Sequence, residues 1–325
     1  RSIGYVKFLI LPIFVKIMFE KKLINYNKIF LIWLITLLIL STDILYQGYF
    51  GKNIIGYDTN NPLRNSSFFF DELKAAALIV GFAFISFSDE LYKKKKIILI
   101  LFFFLIATLV TGERANFIRY FLIFLIFIYF YFKNHSAIGL KPILITLILM
   151  IISFNFFGTK VIDRYTETIS FKQDKNNLSI SEIYLSSQYG AHGITSIYIL
   201  NDNLFFGAGN KNFRIECKNY TKKLSTKFDN KKRNIGCATH PHQTWYELLS
   251  EHGLIGTFLI LFVFYRLIKI RYEEGSFDIK NTMALIYILN LFLPIIPFGS
   301  MFSSYNSAIL WINIAIYITQ FKKLK

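Results

Sequence analysis

The sequence predicts an all-α fold, a polytopic bundle of transmembrane helices with one large extracytoplasmic loop. Hydrophobic residues make up 54% of the 325 residues, which exceeds the usual share of a soluble domain. They are concentrated in blocks of roughly 15–20 residues, close to the length that a helix needs to cross the hydrocarbon core. A backbone in lipid must satisfy its own hydrogen bonds, so each block is expected to form a helix.

Nine blocks are candidate spans. They are Ile3–Phe19, Ile29–Tyr46, Leu73–Phe87, Ile97–Val110, Phe117–Phe132, Pro142–Phe157, Leu254–Ile270, Thr282–Phe298 and Tyr305–Gln320. The chain is therefore divided into transmembrane helices over 1–157, a large loop over 158–253 and C-terminal transmembrane helices over 254–325. Because the sequence begins with Arg1, we expect it to be a fragment of a longer chain.

The net charge of +17 would suit a nucleic-acid partner, but its distribution favours a membrane protein instead. Sixteen basic residues, among them the run Lys93–Lys96, fall in one alternating set of loops and at the C-terminus. The opposite short loops hold only Lys52, Arg64 and Arg114. Basic loops stay in the cytoplasm, so the C-terminus is expected there and the loop over 158–253 on the outer face. We expect no nucleic-acid partner.

The segment "CATHPHQTWYELLSEHGLIGTFLILF" holds the residues with the clearest chemical potential. His242 precedes a helix that is expected to enter the membrane, which places this imidazole at the water–lipid boundary. There it could take a proton from a sugar hydroxyl. The alternative is a solvent-exposed surface histidine. Glu247 and Glu251 are four residues apart and share one face of the same helix.

This segment resembles the O-antigen ligase/polymerase family of bacterial envelope glycosyltransferases. The family shows a His-Asn pair, a Leu-rich helix and a Glu-x-Gly-x-x-Gly close, and here the pattern is carried by His242, Gln243, Leu248, Leu249, Glu251, Gly253 and Gly256. The segment "NLFFGAGNKNF" resembles a turn of the family, and the residues that carry this resemblance are Asn203, Gly207, Gly209 and Phe213. The segments "TGERANF" and "DILYQGYFGKNIIGYD" are similar to two further family elements. The similarity covers most of the chain in the same order.

The resemblance implies an inverting glycosyltransferase of the bacterial inner membrane with a periplasmic loop. Its donor would be a glycan on undecaprenyl diphosphate, and its acceptor a hydroxyl of lipid A-core in O-antigen ligation. A polysaccharide polymerase, whose acceptor is a growing chain, and a protein-directed oligosaccharyltransferase share this chemistry. No cofactor is expected. The rival from another class is a non-enzymatic polysaccharide flippase or exporter, but that function predicts charged residues along several spans, and these spans are nearly uncharged.

The resemblance also implies residue roles, with His242 as the general base on the acceptor hydroxyl. Arginine binds phosphate oxygens with a planar fork, so the diphosphate is expected to contact Arg114, Arg119 and Arg214. Arg114 has an alternative role as a snorkelling membrane anchor. Glu247 and Glu251 are expected to orient His242 or the arginines. The other supporting residues are His240, Gly207, Gly209 and His192, the last in a helix where many relatives carry an arginine.

Cys217 and Cys237 are the only cysteines, and both lie in the predicted outer loop. The bacterial outer compartment is oxidising, which favours a disulfide between them. The alternative is a metal site formed by Cys237, His240 and His242, but a fourth ligand is not evident and we predict no metal. The basic stretch Lys222–Arg233 is either a solvated loop or a surface attracted to anionic lipid headgroups.

Overall fold

The computed structural model describes residues 6–58, 63–134, 187–225, 236–273 and 278–319, with short pieces at 144, 148, 151–152, 162–165 and 184. Within these ranges the secondary structure is helical, apart from one isolated bridge between Lys52 and Asp58. The α-helices are α1 (Val6–Glu20), α2 (Tyr26–Phe50), α3 (Ala75–Phe82), α4 (Asp89–Tyr92), α5 (Lys96–Val110), α6 (Arg114–Asn134), α7 (Gln188–Asp202), α8 (Phe213–Ser225), α9 (Thr244–Glu273), α10 (Ile279–Asn290) and α11 (Ser304–Ile318). A 3₁₀ turn covers Ser67–Phe69. The all-α prediction is confirmed for this part of the chain.

Three described helices are long and apolar enough to cross a membrane. They are α2, the stretch Arg114–Lys133 of α6, and α9. Helix α5 is apolar as well but shorter. The predicted span Pro142–Phe157 lies almost wholly outside the described residues. The total of nine spans and the extent of the outer loop therefore stay predictions.

An aromatic-rich core joins the described helices other than α7 and α8, which share a smaller cluster of Ile199, Phe213, Cys217 and Tyr220. Phe30, Phe104, Tyr120 and Phe127 are fully buried within the larger core. Helix α3 packs so closely on α11 that a Cβ atom at Gly81 would lie 2.2 Å from the Ile309 side chain. Small residues at such crossings let helices approach and gain dispersion contacts, which replace the hydrophobic driving force that is missing in lipid.

Two predicted spans are shorter in the structure than in the prediction. Leu73–Phe87 contains only the eight-residue α3. Thr282–Phe298 was predicted to be helical throughout, but α10 ends at Asn290. Pro294 and Pro297 have no backbone N–H to donate, so the helix cannot continue through them. Residues 291–303, here named the connecting segment, are non-helical and lead into α11.

Side chains from other helices satisfy carbonyl groups of the connecting segment. Thr244 Oγ1 donates to the Leu291 carbonyl at 2.7 Å, and Trp245 Nε1 donates to the Phe292 carbonyl at 2.8 Å. A guanidinium nitrogen of Arg119 donates to the Ile296 carbonyl at 3.0 Å. Buried carbonyls without donors are costly in an apolar environment. These bonds therefore fix the connecting segment against the start of α9 and against α6.

Helix α9 is interrupted at Gly253, where φ is 63° and ψ is −168°. The glycine turn over 203–212 fits into this interruption and replaces the missing helical bonds. The N–H groups of Leu254 and Ile255 donate to carbonyls of the turn at 2.9 and 3.1 Å. Gly207 has φ +69°, and a Cβ atom there would lie 2.4 Å from the Glu251 backbone. Only glycines at both positions allow the two backbones to approach this closely.

Candidate active site

Three histidines form a stack at the N-terminal end of α9. His192 projects from α7, while His240 and His242 lie in the segment that precedes α9. The ring centroids of His192 and His242 are 5.2 Å apart with an angle of 22° between the rings, and those of His240 and His242 are 4.0 Å apart. The sequence suggested these residues separately, and the fold brings them together.

Burial lowers the pKa of all three imidazoles, because the charged form loses its hydration. The pKa of His242 falls below its ordinary value of 6.5 through this effect. Burial lowers the pKa of His192 to about 4 and that of His240 to about 3, and a positive charge on His242 contributes to both shifts. The neutral form of each imidazole is therefore favoured at pH 7. This behaviour suits a general base.

The backbone at His242 has φ 56°, in the left-handed region that non-glycine residues seldom adopt. Its carbonyl accepts a hydrogen bond from the Phe298 N–H at 2.9 Å. The Tyr189 ring meets the imidazole edge-on, with centroids 6.0 Å apart. The connecting segment thus holds His242 in a strained conformation, a feature that often accompanies functional sites.

A polar cavity of about 560 Å³ opens beside the stack. His240 and Thr239 form one wall, and Thr239 Oγ1 lies 3.0 Å from His240 Nδ1. Three cationic side chains line it, namely Lys74, Lys211 and Arg214. The lining also includes one carboxyl group, from Glu113, and hydroxyl and amide groups, among them those of Ser300, Ser303, Ser304 and Asn306. A cavity with this composition suits a phosphate group and sugar hydroxyls.

A second basic group surrounds Gly112 at the start of α6. The Cγ atoms of Arg64 and Arg164 each lie 3.5 Å from the position that a Cβ atom would take at Gly112. Arg164 Nε donates to the Gly112 carbonyl at 3.3 Å, and Arg114 donates to the Arg164 carbonyl at 3.4 Å. Arg114 therefore belongs to this group and is absent from the lining of the polar cavity, which contains Arg214.

Arg119 is buried and its terminal nitrogens are engaged by protein oxygens. It donates to the backbone carbonyl of Asn290, to Asn290 Oδ1 at 3.1 Å and to the Ile296 carbonyl. Its guanidinium also lies over the Phe298 ring, 5.0 Å from the centroid. This geometry favours a positioning role for Arg119, acting through the connecting segment, over the predicted contact with diphosphate.

The two predicted supporting glutamates bind backbone groups of neighbouring segments. Glu251 accepts from the N–H groups of Lys211 at 2.7 Å and Phe213 at 3.2 Å. It thereby anchors the start of α8, which carries Arg214. Glu247 accepts from the Ser300 hydroxyl and from the Met301 N–H at 2.7 Å. The observed bonds of Glu247 therefore position the connecting segment, and neither carboxylate has an observed hydrogen bond to His242.

Cys217 and Cys237 are joined by a disulfide with a Cα–Cα distance of 5.1 Å. Cys217 lies three residues after Arg214, and Cys237 lies three residues before His240. The bond therefore ties the cationic wall of the cavity to the histidine stack. It also removes the thiolate that the alternative metal site required. Across the described residues, no group of three histidine, cysteine or acidic side chains is arranged to hold a metal ion.

Several residues of the site were not predicted from the sequence. Arg164 and Tyr189 lie in the predicted loop without a recognisable motif, and Lys211 lies within the glycine turn but was not singled out. Residues 291–298 of the connecting segment were assigned to a span because their composition is apolar. The two prolines of this stretch were the signal that could have corrected this assignment. Most of the basic stretch Lys222–Arg233 lies outside the described residues.

Comparison with known proteins gives one positive finding. Residues 98–261 match a family model described as O-antigen ligase. The match extends from α5 to the middle of α9, covers half of the chain and includes the histidine stack, Arg114, Arg119, Arg214 and the glycine turn. A search of curated proteins gave no match.

Proposed function

Because this chain belongs to the O-antigen ligase family, we propose that it transfers a glycan from undecaprenyl diphosphate to a hydroxyl of lipid A-core. The observation that carries this proposal is the histidine stack beside a cavity lined by Arg214, Lys211 and Lys74. A base and a phosphate-binding surface are the two requirements of this reaction. The protein would act in the bacterial inner membrane, with the site on the periplasmic side and the C-terminus in the cytoplasm.

In the proposed mechanism, neutral His242 accepts the proton of the acceptor hydroxyl. The hydroxyl oxygen attacks the anomeric carbon, and the bond between that carbon and the diphosphate oxygen breaks. The electron pair of the broken bond leaves with undecaprenyl diphosphate. This single displacement inverts the anomeric centre, and no cofactor or metal takes part in it. His242 returns the proton to solvent before the next turnover.

Undecaprenyl diphosphate is stable as an anion, so it can leave without being protonated. It needs positive charge nearby to stabilise the negative charge that it gains. Arg214 and Lys211 supply that charge from the cavity wall, and Glu251 holds the backbone from which both project. Arg114 is the second arginine that we propose as a ligand of the diphosphate, and it belongs to the basic group around Gly112. Preorganised cations in a partly dry site stabilise developing charge much more strongly than they do in water.

A polysaccharide polymerase is the second candidate function, and it is supported by the presence of two separate basic groups. In a polymerase the growing chain is itself carried on a diphosphate, so both substrates would need cationic partners. The cavity beside His240 could hold one diphosphate, and the arginines around Gly112 the other. A non-enzymatic flippase or exporter would need neither a base nor a chemical step.

The test is transfer by the purified protein in nanodiscs, supplied with a glycan on undecaprenyl diphosphate. Lipid A-core is the acceptor in one reaction, and the lipid-linked glycan is the only substrate in the other. Glycosylated lipid A-core with inverted anomeric configuration is the expected product. Elongated lipid-linked chains alone would identify a polymerase, and the absence of product in both reactions would contradict the proposal.

A further inference from the structure

Glu113 is the acidic residue among the cations, hydroxyls and amides that line the polar cavity. It lies between α5 and α6, directly after the turn at Gly112, where φ is +69°. Its carbonyl accepts the first helical hydrogen bond of α6, from the Phe117 N–H at 3.0 Å. A residue whose side chain capped this helix would accept from backbone N–H groups of the first turn. Instead, Glu113 Oε2 accepts from the side-chain amide of Asn116 at 2.6 Å, and Asn116 also lines the cavity.

The Glu113 carboxyl group has hydrogen-bonding capacity that the protein leaves unused. Among the described residues, its buried Oε1 atom has no hydrogen-bond partner. Burial raises the pKa of this carboxyl to about 7, and the Asn116 amide, the Ala76 N–H and the charge of Arg64 oppose that rise only in part. Buried polar atoms in native proteins are nearly always paired, so this one calls for an external donor. A hydroxyl group in the cavity could supply it after a small turn of the carboxyl group.

The carboxyl group and the cations of the cavity come from different parts of the fold. Lys211 and Arg214 project from the start of α8, which Glu251 anchors through its backbone bonds. Lys74 is paired with Glu72. A diphosphate is attracted to the α8 side and is repelled by a carboxylate. The group that lies against Glu113 should therefore be uncharged and able to donate a hydrogen bond, and sugar hydroxyls meet both requirements.

We propose that Glu113 determines glycan specificity by accepting a hydrogen bond from a hydroxyl group of the donor's first sugar, an inference that rests on the proposed function. This sugar is bonded directly to the diphosphate, so it must lie beside Lys211 and Arg214. The cavity of about 560 Å³ falls within the range of about 300–1,000 Å³ that is usual for small-molecule sites. Asn116 and Ser304 supply further polar groups in the same cavity. A sugar that lacks the recognised hydroxyl leaves a buried carboxyl unpaired and is therefore rejected.

Equilibrium binding to the protein in nanodiscs tests this contact separately from the transfer reaction. Two ligands are compared, undecaprenyl diphosphate with its glycan and undecaprenyl diphosphate alone. Glu113→Ala should raise the Kd of the glycan-bearing ligand at least about tenfold, as expected for the loss of a hydrogen bond to a charged group. The Kd of undecaprenyl diphosphate alone should change less than about twofold, because the carboxyl group does not bind the diphosphate. That unchanged affinity also reports that the variant is folded.

Glu216→Ala is the matched control. Glu216 accepts from the side chain of Asn219 at 3.0 Å, the same three-residue spacing as in the Glu113–Asn116 pair. This second pair is exposed on α8 and does not line the cavity. Both Kd values should therefore stay as they are in the unaltered protein. A weakening by Glu216→Ala equal to that by Glu113→Ala would contradict the proposed contact.

A second measurement uses donors whose first sugar lacks one hydroxyl group at a time. At least one of these analogues should bind the unaltered protein at least about tenfold more weakly than the complete donor. Glu113→Ala should bind that analogue and the complete donor with Kd values within about twofold of each other, because the two losses remove the same contact. Equal binding of all analogues by the unaltered protein, or equal weakening of both ligands by Glu113→Ala, would overturn the sugar contact. The expected binding pattern without any transfer would instead contradict the proposed function.

Discussion

The imidazole rings of His192 and His242 lie nearly parallel, with their centroids 5.2 Å apart. His192 is fully buried, and among the described residues neither of its ring nitrogens has a hydrogen-bond partner. We therefore infer that His192 acts by packing its ring face against His242, and that it neither donates nor accepts a hydrogen bond there. Its contribution is to exclude water from one face of the proposed base, which keeps that base neutral.

The protein should keep its glycan-transfer activity at mildly acidic pH. The proposed base works in its neutral form, and burial lowers the pKa of His242 below 6.5. As pH falls, activity is lost only when His242 becomes protonated, so the acidic limb of kcat/KM should have its midpoint below pH 6.5. A midpoint above 6.5 in the pH profile would contradict the assignment.

His192→Ala should move that acidic limb to higher pH. The smaller side chain admits water beside His242, so the desolvation that lowers its pKa is partly relieved. His192→Phe keeps an apolar ring at the same place and should leave the midpoint nearly unchanged. The two profiles are measured with the same donor and acceptor. Identical shifts in both variants would show that His192 does more than exclude water.

Arg119→Lys should lower stability and kcat without raising the KM for the donor. Arg119 reaches Asn290 and Ile296 with two different nitrogens, and the single nitrogen of lysine cannot take both positions; a buried acceptor left without a donor costs roughly 1–3 kcal/mol. The connecting segment, which holds His242 through Phe298, should loosen. Thermal unfolding and steady-state kinetics test this, with exposed Arg266→Lys as the control. A raised donor KM with an unchanged Tm would restore Arg119 as a phosphate ligand.

Arg214→Lys should lower the transfer rate at least about tenfold while expression stays normal. This is a cautious value, because the loss of one preorganised charged contact typically lowers the rate about 10²–10³-fold. Lysine keeps the charge but loses the planar fork that grips phosphate oxygens. Arg114→Lys should do the same if Arg114 also contacts the diphosphate, whereas a membrane anchor would accept lysine. Near-normal transfer by Arg114→Lys would make it an anchor, and near-normal transfer by both variants would contradict arginine recognition of the donor.

Reduction of the Cys217–Cys237 bond should impair transfer. The bond closes a loop with a sequence separation of 20, and a disulfide of this kind stabilises by roughly 3 kcal/mol. Its loss should release the segment that carries His240 and His242. Non-reducing gels should show a faster form that Cys217→Ser and reductant both abolish. Free thiols at both positions in fresh membranes would argue against the bond.

The sequence predicted the helical class and the start of α9 because both follow from local patterns of apolar residues and capping. Its motifs also pointed to His242, Arg214 and the glycine turn, whose functional roles stay predictions. The stacking of His192 on His242 was out of reach, since 50 residues separate them and no local rule brings them together. The bonds of Arg119 to the connecting segment were out of reach for a similar reason, because its acceptors lie at and beyond the end of a helix that two prolines terminate.

The most direct test of the proposed mechanism is single-turnover transfer by His242→Ala in nanodiscs, with donor binding measured in parallel. Loss of a general base typically costs about 10²–10⁴-fold in rate, and the account predicts a loss in this range with donor affinity and membrane insertion unchanged. His240→Ala should reduce the rate less. Transfer by His242→Ala at the rate of the unaltered protein would contradict the mechanism.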